Sequence, residues 1–433
     1  MLRNLRPALN KSTNWRNYFL GIVNGVSTRV GMSITHPSMV LSVFIRTLGG
    51  SNALVGLLPA IRFGGWFLPQ FLAASWIQPR PRKAPVVVVM ESARILIYAA
   101  LAVLTYSLGL SRPGLLLVLF FVLFTPSRLT AGSGALARLD AIGKVVRPSR
   151  RASFFADRNF WGGAIVFGLG FLVRFMLDPD RGLPFPSNFA LLFGLSSLSF
   201  VVAALSFSQI RETQDLYQQS RHSLLAQLTR APGLIRQDPD LRRYLLVRIL
   251  LNMVRIADPF YAVFALDMLG APPSMVGFYL SAMTLADILS NLVWQRAERT
   301  HGTYAIVQAS SLLTAVAPLL AAALPWLMHL FGFTVEQHGL LPAYLFTSVF
   351  VLAGSSNSGR TIGLMALLLD IAPDQERASY VGLVNTVLGF VSFLPIAAGV
   401  IIDRAGFEPI FFTTTLLLLL GYLVTLGWKS RQV

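Results

Sequence analysis

The sequence predicts an all-α integral membrane protein, twelve transmembrane helices arranged as two pseudo-symmetric six-helix bundles. Three observations carry that expectation. Of 433 residues, 54% are hydrophobic and only 13% charged, about half the charged share of a soluble globular chain. Twelve segments hold the ~20 mostly apolar residues that a membrane-spanning helix needs. Two phrases recur at nearly one offset: LGGSNALVG at Leu48–Gly56 against LGAPPSMVG at Leu269–Gly277, 221 residues on, and RASFFADRNFWGG at Arg151–Gly163 against RASYVGLVNTVLG at Arg377–Gly389, 226 on. Recurrence of this kind marks an internally repeated chain.

Span 1, Tyr18–Ile45, follows the basic stretch MLRNLRPALNKSTNWR; no short apolar stretch with a small-residue cleavage site precedes it, so it reads as retained. The first recurring phrase is an outer turn leading into span 2, Ala53–Ile77. Span 3, Ala84–Leu108, starts after the basic loop Arg80–Lys83 and carries Glu91 and Arg94, a pair at helical spacing. Span 4, Gly114–Leu139, contains Pro126 and Arg128. Span 5, Ala152–Met176, is rich in glycines (Gly162, Gly163, Gly168, Gly170) that let helices approach closely. Span 6, Asn188–Phe207, closes the first half.

The linker at 210–243 divides residues 1–209 from residues 244–433, and its stretch SLLAQLTRAPGLIRQ is amphipathic, as for a segment lying on a membrane surface. Span 7, Tyr244–Leu269, repeats the role of span 1 and holds Arg255, Asp258 and Pro259. The second copy of the outer turn leads into span 8, Ser274–Trp294, with Asp287 at mid-depth. Span 9 is Tyr304–Leu330, and span 10, Leu341–Leu369, holds Arg360. Span 11, Ala378–Ile402, carries Gly382, Gly389 and Pro395, and span 12 is Pro409–Leu426. Pro126, Pro259 and Pro395 are expected to bend their spans.

Charge sets the orientation. With both termini cytoplasmic, 22 Lys and Arg flank the spans on the inner side and 4 on the outer. The positive-inside rule selects this arrangement and accounts for most of the +17 net charge without a nucleic-acid partner. There are no cysteines, which excludes disulfides and thiolate chemistry. No GxxxxGK[ST] loop offers ATP chemistry, and no His, Asp and Glu cluster suggests a metal or catalytic centre. The expected partners are a small-molecule substrate, protons and the lipid bilayer, for a monomer in the plasma or inner membrane with no cofactor.

Ten Arg lie within the predicted spans. An Arg at the bilayer centre costs at least ~2.5 kcal/mol, so such residues face the protein interior, a water-filled cavity or a counter-ion. Arg138, Arg158 and Arg248 lie near the inner surface, where Arg138 and Arg158 are expected to snorkel or pair with Asp140 and Asp157. Arg62 and Arg174 lie toward the outer interface. Arg29, Arg128, Arg255 and Arg360 sit near mid-depth on the first and fourth spans of each half. These four are the candidate substrate-binding residues, because guanidinium holds carboxylate or phosphate through two parallel hydrogen bonds; the alternative is local pairing and packing. The candidate proton carriers are Asp258, three residues after Arg255; Asp287; and His36, seven residues after Arg29. A carboxylate in low dielectric tends to keep its proton and a nearby Arg opposes that, while His titrates near neutral pH.

Over nearly its whole length the chain resembles the major facilitator superfamily of secondary transporters. RLTAGSGA at Arg128–Ala135 matches that superfamily's span 4 signature, an Arg followed by Gly at four and six residues and then Ala. The resemblance implies a role for Arg128 in proton coupling. LARLDAIGKVVRPSRRASFF and LLLDIAPDQERASYVGL look like the family's links from span 4 to 5 and span 10 to 11. Each has an Asp at the inner helix end (Asp140, Asp370) and then a Pro and an Arg (Pro148 with Arg151, Pro373 with Arg377). With Arg80, Arg82 and Lys83 of the loop between spans 2 and 3, these are the residues the resemblance assigns to conformational switching. That loop departs from the family pattern: AASWIQPRPRK has Ala74 and Gln78 where Gly and Asp are usual. GVIIDRAG, Gly399–Gly406, is a further family phrase. Arg on spans 1 and 7 is similar to the family's organophosphate transporters, and span 5 lacks the Gly-Pro pair of the antiporters. The expected function is secondary active transport of a small organic solute, anionic and proton-coupled, by alternating access. The alternatives are a broad multidrug proton-antiport exporter and a non-transporting membrane sensor or enzyme.

Overall fold

The structure, a computed structural model, describes residues 11–77, 80–212, 233, 235–333, 335–373 and 377–427. Most of the amphipathic linker stretch, and the C-terminal cations, lie outside them. Twelve helical passages occur in the predicted order, with no strand among the described residues. Among the described residues, eight helices are long and apolar enough to cross a membrane. One of these, Met275–Leu330, is two passages, spans 8 and 9, joined at Gly302, whose φ of 78° and ψ of 173° break the helix. Only glycine adopts that backbone readily.

The first span of each half is interrupted, and proline explains where. Span 1 runs as Lys11–Ile34, then a π-helical turn Pro37–Leu41, then Ser42–Thr47. Pro37 lacks an N–H and holds His36 out of the helical region, at φ −63° and ψ 121°. Span 7 runs as Pro239–Asn252, Val254–Ala257, a 3-10 turn Asp258–Phe260 around Pro259, and Tyr261–Leu269. It ends on left-handed Gly270, φ 61°, a common helix stop. Ser42 ties the two breaks together by donating to the carbonyls of Pro37 (3.0 Å) and Pro259 (3.2 Å). Span 11 restarts at Leu394, just ahead of Pro395. Span 4 differs from expectation: Pro113–Val145 continues unbroken through Pro126 and past Asp140.

Close packing forms two compact units. One comprises residues up to 35, 65–166 and 185–222; the other comprises 36–64, 167–184 and the chain from 223 onward. In the first, Val87, Ile142, Phe154 and Phe207 form a core where spans 3 and 5 begin and spans 4 and 6 end. In the second, Tyr244, Leu251, Leu364, Tyr380 and Leu418 do the same for the C-terminal spans. The second unit also contains two close helix crossings at glycines. A Cβ on Gly56 or on Gly399 would strike the backbone of the other's helix, at Pro395 and Asn52 respectively. Gly170 and Gly277 meet in the same way, with Ser281 donating to the Phe167 carbonyl at 2.8 Å. Small residues permit this approach. Gly168 and Gly382, expected to serve likewise, face open space.

Candidate functional site

In the first unit, the interior charges gather on one acid. Glu91 on span 3 is 1% exposed and accepts from Arg94 at 2.9 Å, from Arg138 of span 4, and from Thr28 of span 1 at 3.5 Å. Arg94 also stacks on Phe200, 3.7 Å from the ring centre. The spacing of Glu91 and Arg94 predicted their pairing. Arg138 departs from the expected partners: it turns inward to Glu91, while Asp140 pairs with Lys144 at 3.4 Å and Asp157 takes the Tyr18 hydroxyl at 2.7 Å. A buried carboxylate that accepts from two guanidiniums satisfies part of each and leaves a surplus positive charge inside.

Arg128 is sealed. It is buried beneath Gly65, donates to the Tyr98 hydroxyl and to Ser127 (3.3 Å), and lies over the Phe124 ring. Tyr98 carries no sequence signal as its partner. Arg29 is half-buried, packs its side chain over Gly162 and donates to the Asn159 carbonyl at 3.2 Å.

The predicted switch residues of this unit lie where span 3 begins and span 4 ends. Lys83 stands 3.8 Å from Asp140, and its side chain donates to the Arg80 carbonyl. Arg80 stacks on Trp76 and Arg82 is exposed. Arg151 closes the end of span 4 by donating to the carbonyls of Gly143 (2.5 Å) and Val146 (3.3 Å), a cation at the negative end of a helix. The sequence reading missed Glu212, which accepts the first N–H groups of span 3, from Lys83 and Ala84, at 2.7 Å each and pairs with Lys144 at 3.0 Å.

In the second unit, the interior is more open. Arg255 is half-buried, donates to Ser392 at 3.2 Å and lies 3.4 Å over the Phe63 ring. Arg62, expected at the outer interface, shares that ring at 5.2 Å. Arg360 donates to the Leu251 carbonyl (3.1 Å) and to Asn357 (3.2 Å). Asp258 sits in the field of Arg360, Arg255 and Arg62. Three arginines, from spans 2, 7 and 10, thus act on one carboxylate through its field. Guanidinium offers five donors, and among the described residues Arg255 uses one in a hydrogen bond and Arg360 two. Tyr261 and Asn252 add buried polar atoms, a hydroxyl and an amide nitrogen, without partners among the described residues.

The other predicted residues stand apart from that group. His36 sits at the break of span 1 with its Nδ1 buried and unpartnered. Asp287 lends its carbonyl to Asn291 at 2.7 Å, and Asn291 accepts from Ser358 at 2.8 Å. Asp370 is exposed, and the side chain of Arg377 lies outside the described residues. Two outer contacts were also missed: Arg46 with Asp267 at 2.7 Å, and Asp403, which accepts the Asn52 and Ala53 N–H groups at the start of span 2, at 3.1 and 3.2 Å.

The comparisons agree with this architecture. The model of the Major Facilitator Superfamily matches residues 249–432. No curated protein sequence matches the chain. A bacterial homologue of the iron transporter ferroportin, in an inward-facing state, is similar in structure with a TM-score of 0.71 at 16% identity, over 96% of this chain and 99% of that one. A mutant of the nucleoside transporter NupG has a TM-score of 0.71 at 11% identity, over 95% and 99%. The human organic anion transporter MFSD10 has a TM-score of 0.60 at 16% identity, over 95% and 99%. Residues 249–432 thus match the Major Facilitator Superfamily, and the chain as a whole has the fold of these solved membrane transporters.

Proposed function

We infer that the protein is a secondary active transporter of a small organic solute bearing an anionic group, moved by alternating access and coupled to protons. The observation that carries this reading is the group in the second unit: Arg62, Arg255 and Arg360, all half-buried, around Asp258. Sealed arginines such as Arg94 and Arg128 do not meet a solute. Half-buried ones such as Arg255 and Arg360 can take a carboxylate or phosphate. Arrival of that anion beside Arg255 lowers the positive field on Asp258, which then takes a proton more readily. Arg128 belongs to this reading as a coupling residue acting through Tyr98 rather than as a contact to solute. The inner cluster of Lys83, Asp140 and Arg151 serves as the hinge. We read the protein as a monomer of the plasma or inner membrane, both termini cytoplasmic, an orientation supported by the distribution of Lys and Arg.

The test is uptake into proteoliposomes of anionic, neutral and cationic compounds, with and without an imposed pH gradient, by the parent and by an Arg255→Gln, Arg360→Gln variant. The reading expects anion transport that needs the gradient and falls at least tenfold in the variant. Transport of cationic or neutral amphipathic compounds that survives in the variant would replace it with the drug-exporter reading.

A further inference from the structure

We propose that the N-terminal unit carries a binding site for the headgroup of an anionic phospholipid, at the inner end of span 1 beside the loop from span 4 to span 5. A shallow open cleft lies there, walled by Trp15, Tyr18 and Val146 and rimmed by Arg147 and Arg150. None of these residues takes part in the solute group or the charge cluster around Glu91.

Four features fit a lipid. The first is depth. Trp15 and Tyr18 stand in the opening turns of span 1, and aromatic residues of this kind gather at the level of the headgroups. The second is charge. Arg147 and Arg150 are exposed and, among the described residues, form no ion pair. Arg150 stacks 4.4 Å over Trp15, which holds one guanidinium flat at the cleft mouth, ready for a planar pair of hydrogen bonds to phosphate oxygens. The one carboxylate in contact with the wall, Asp157, is occupied by the Tyr18 hydroxyl at 2.7 Å. Arg16 is committed to the Gln209 carbonyl at 3.3 Å and adds positive field. The third is an apolar path away from the charges. Phe19, one helical turn beyond Trp15, is 65% exposed, and the two lie on one face of the helix. An acyl chain has a surface to follow from the cleft into the hydrocarbon. The fourth is side. The cleft lies on the face of the protein with most of the Lys and Arg, where anionic lipid is concentrated and basic pockets between helices hold its headgroups. A free phosphate compound would meet the arginines but leave the aromatic and valine walls unused, so the occupant is a lipid.

The test uses the full-length protein in mild detergent, titrated with short-chain phosphatidylglycerol, short-chain phosphatidylcholine or glycerol 3-phosphate, with thermal unfolding as the readout. Phosphatidylglycerol should raise the unfolding temperature saturably and the other two should not. Each arginine contributes about fivefold in lipid affinity, so Arg147→Gln with Arg150→Gln should weaken the effect roughly thirtyfold. An undiminished shift in the double variant overturns the proposal. So does an equal response to phosphatidylcholine, which makes the effect general solvation, or to glycerol 3-phosphate, which makes the site one for free phosphate. A second measurement on the unmodified arginines guards against a variant that fails to fold. In nanodiscs, phosphatidylglycerol with brominated tails should quench more tryptophan fluorescence than brominated phosphatidylcholine, and Trp15→Phe should remove that difference. Equal quenching by the two lipids refutes the site.

Discussion

Replacing Glu91 by Gln removes one negative charge from a site where both side-chain partners are also buried: 1% exposure for Glu91 and Arg94, 8% for Arg138. Taking away one member of a buried ion pair costs about 3–5 kcal/mol, because the remaining charge is left uncompensated. Gln keeps a carbonyl acceptor in the same place and restores about 1 kcal/mol as a neutral hydrogen bond. The expected loss is therefore about 2–4 kcal/mol, roughly 30- to 1000-fold in the folded-to-unfolded ratio. The assay is thermal unfolding of the purified protein in one detergent, read by intrinsic fluorescence, alongside the yield of monodisperse protein. A double variant supplies the internal control. Adding Arg138→Gln removes a surplus cation with the anion, so it should recover part of the stability lost by Glu91→Gln alone, a non-additivity typical of residues in one network. The reasoning is refuted if Glu91→Gln unfolds at the temperature of the parent. It is equally refuted if the two substitutions simply add.

Three further outcomes follow from geometry. Gly399→Val places a side chain against the Asn52 backbone and should cost several kcal/mol of packing, while Gly382→Ala, facing open space, should be neutral or gain up to about 1 kcal/mol; comparing their unfolding temperatures checks both. Gly302→Ala forces a Cβ into a backbone region reserved for glycine, at φ 78° and ψ 173°, and should lower stability by about 1–3 kcal/mol, measured the same way, with no change if the break between spans 8 and 9 is absent. Asp403→Ala removes the acceptor of two N–H groups at the start of span 2 and should cost about 0.5–2 kcal/mol; Asp403→Asn, retaining one acceptor, should cost less in the same unfolding assay.

The order of the spans was legible because hydropathy and the sidedness of Lys and Arg depend on local composition. Pairs at helical spacing, such as Glu91 with Arg94, were legible for the same reason. What escaped the sequence was pairing between spans. Arg138 was assigned to nearby acids by its depth, yet its partner Glu91 is 47 residues away. Tyr98 reads as one aromatic residue among many until the fold sets it beside Arg128. Arg62 was placed by depth at the interface, whereas the shared Phe63 ring brings it toward Arg255. Glu212 carries no signal in the linker sequence; its role depends on the start of span 3, 129 residues earlier. The break in span 1 was readable from Pro37 and went unread because the apolar run continues through it.

The crossing at Gly56 and Gly399 brings backbone against backbone at both glycines, beside the bonds that the Asp403 carboxylate accepts from Asn52 and Ala53. A seam lined by side chains can give way gradually as rotamers shift, so its energy changes smoothly with distance. One made of carbonyls and Cα atoms has no rotamers to spend, and packed surfaces of that kind are either seated or parted. The contact therefore behaves as a detent: a gap of about 0.5–1 Å forfeits roughly a quarter to a half of its cohesion. Any motion that separates these two helices will register as a discrete step with a defined threshold, and a single methyl group added at either glycine will move that threshold.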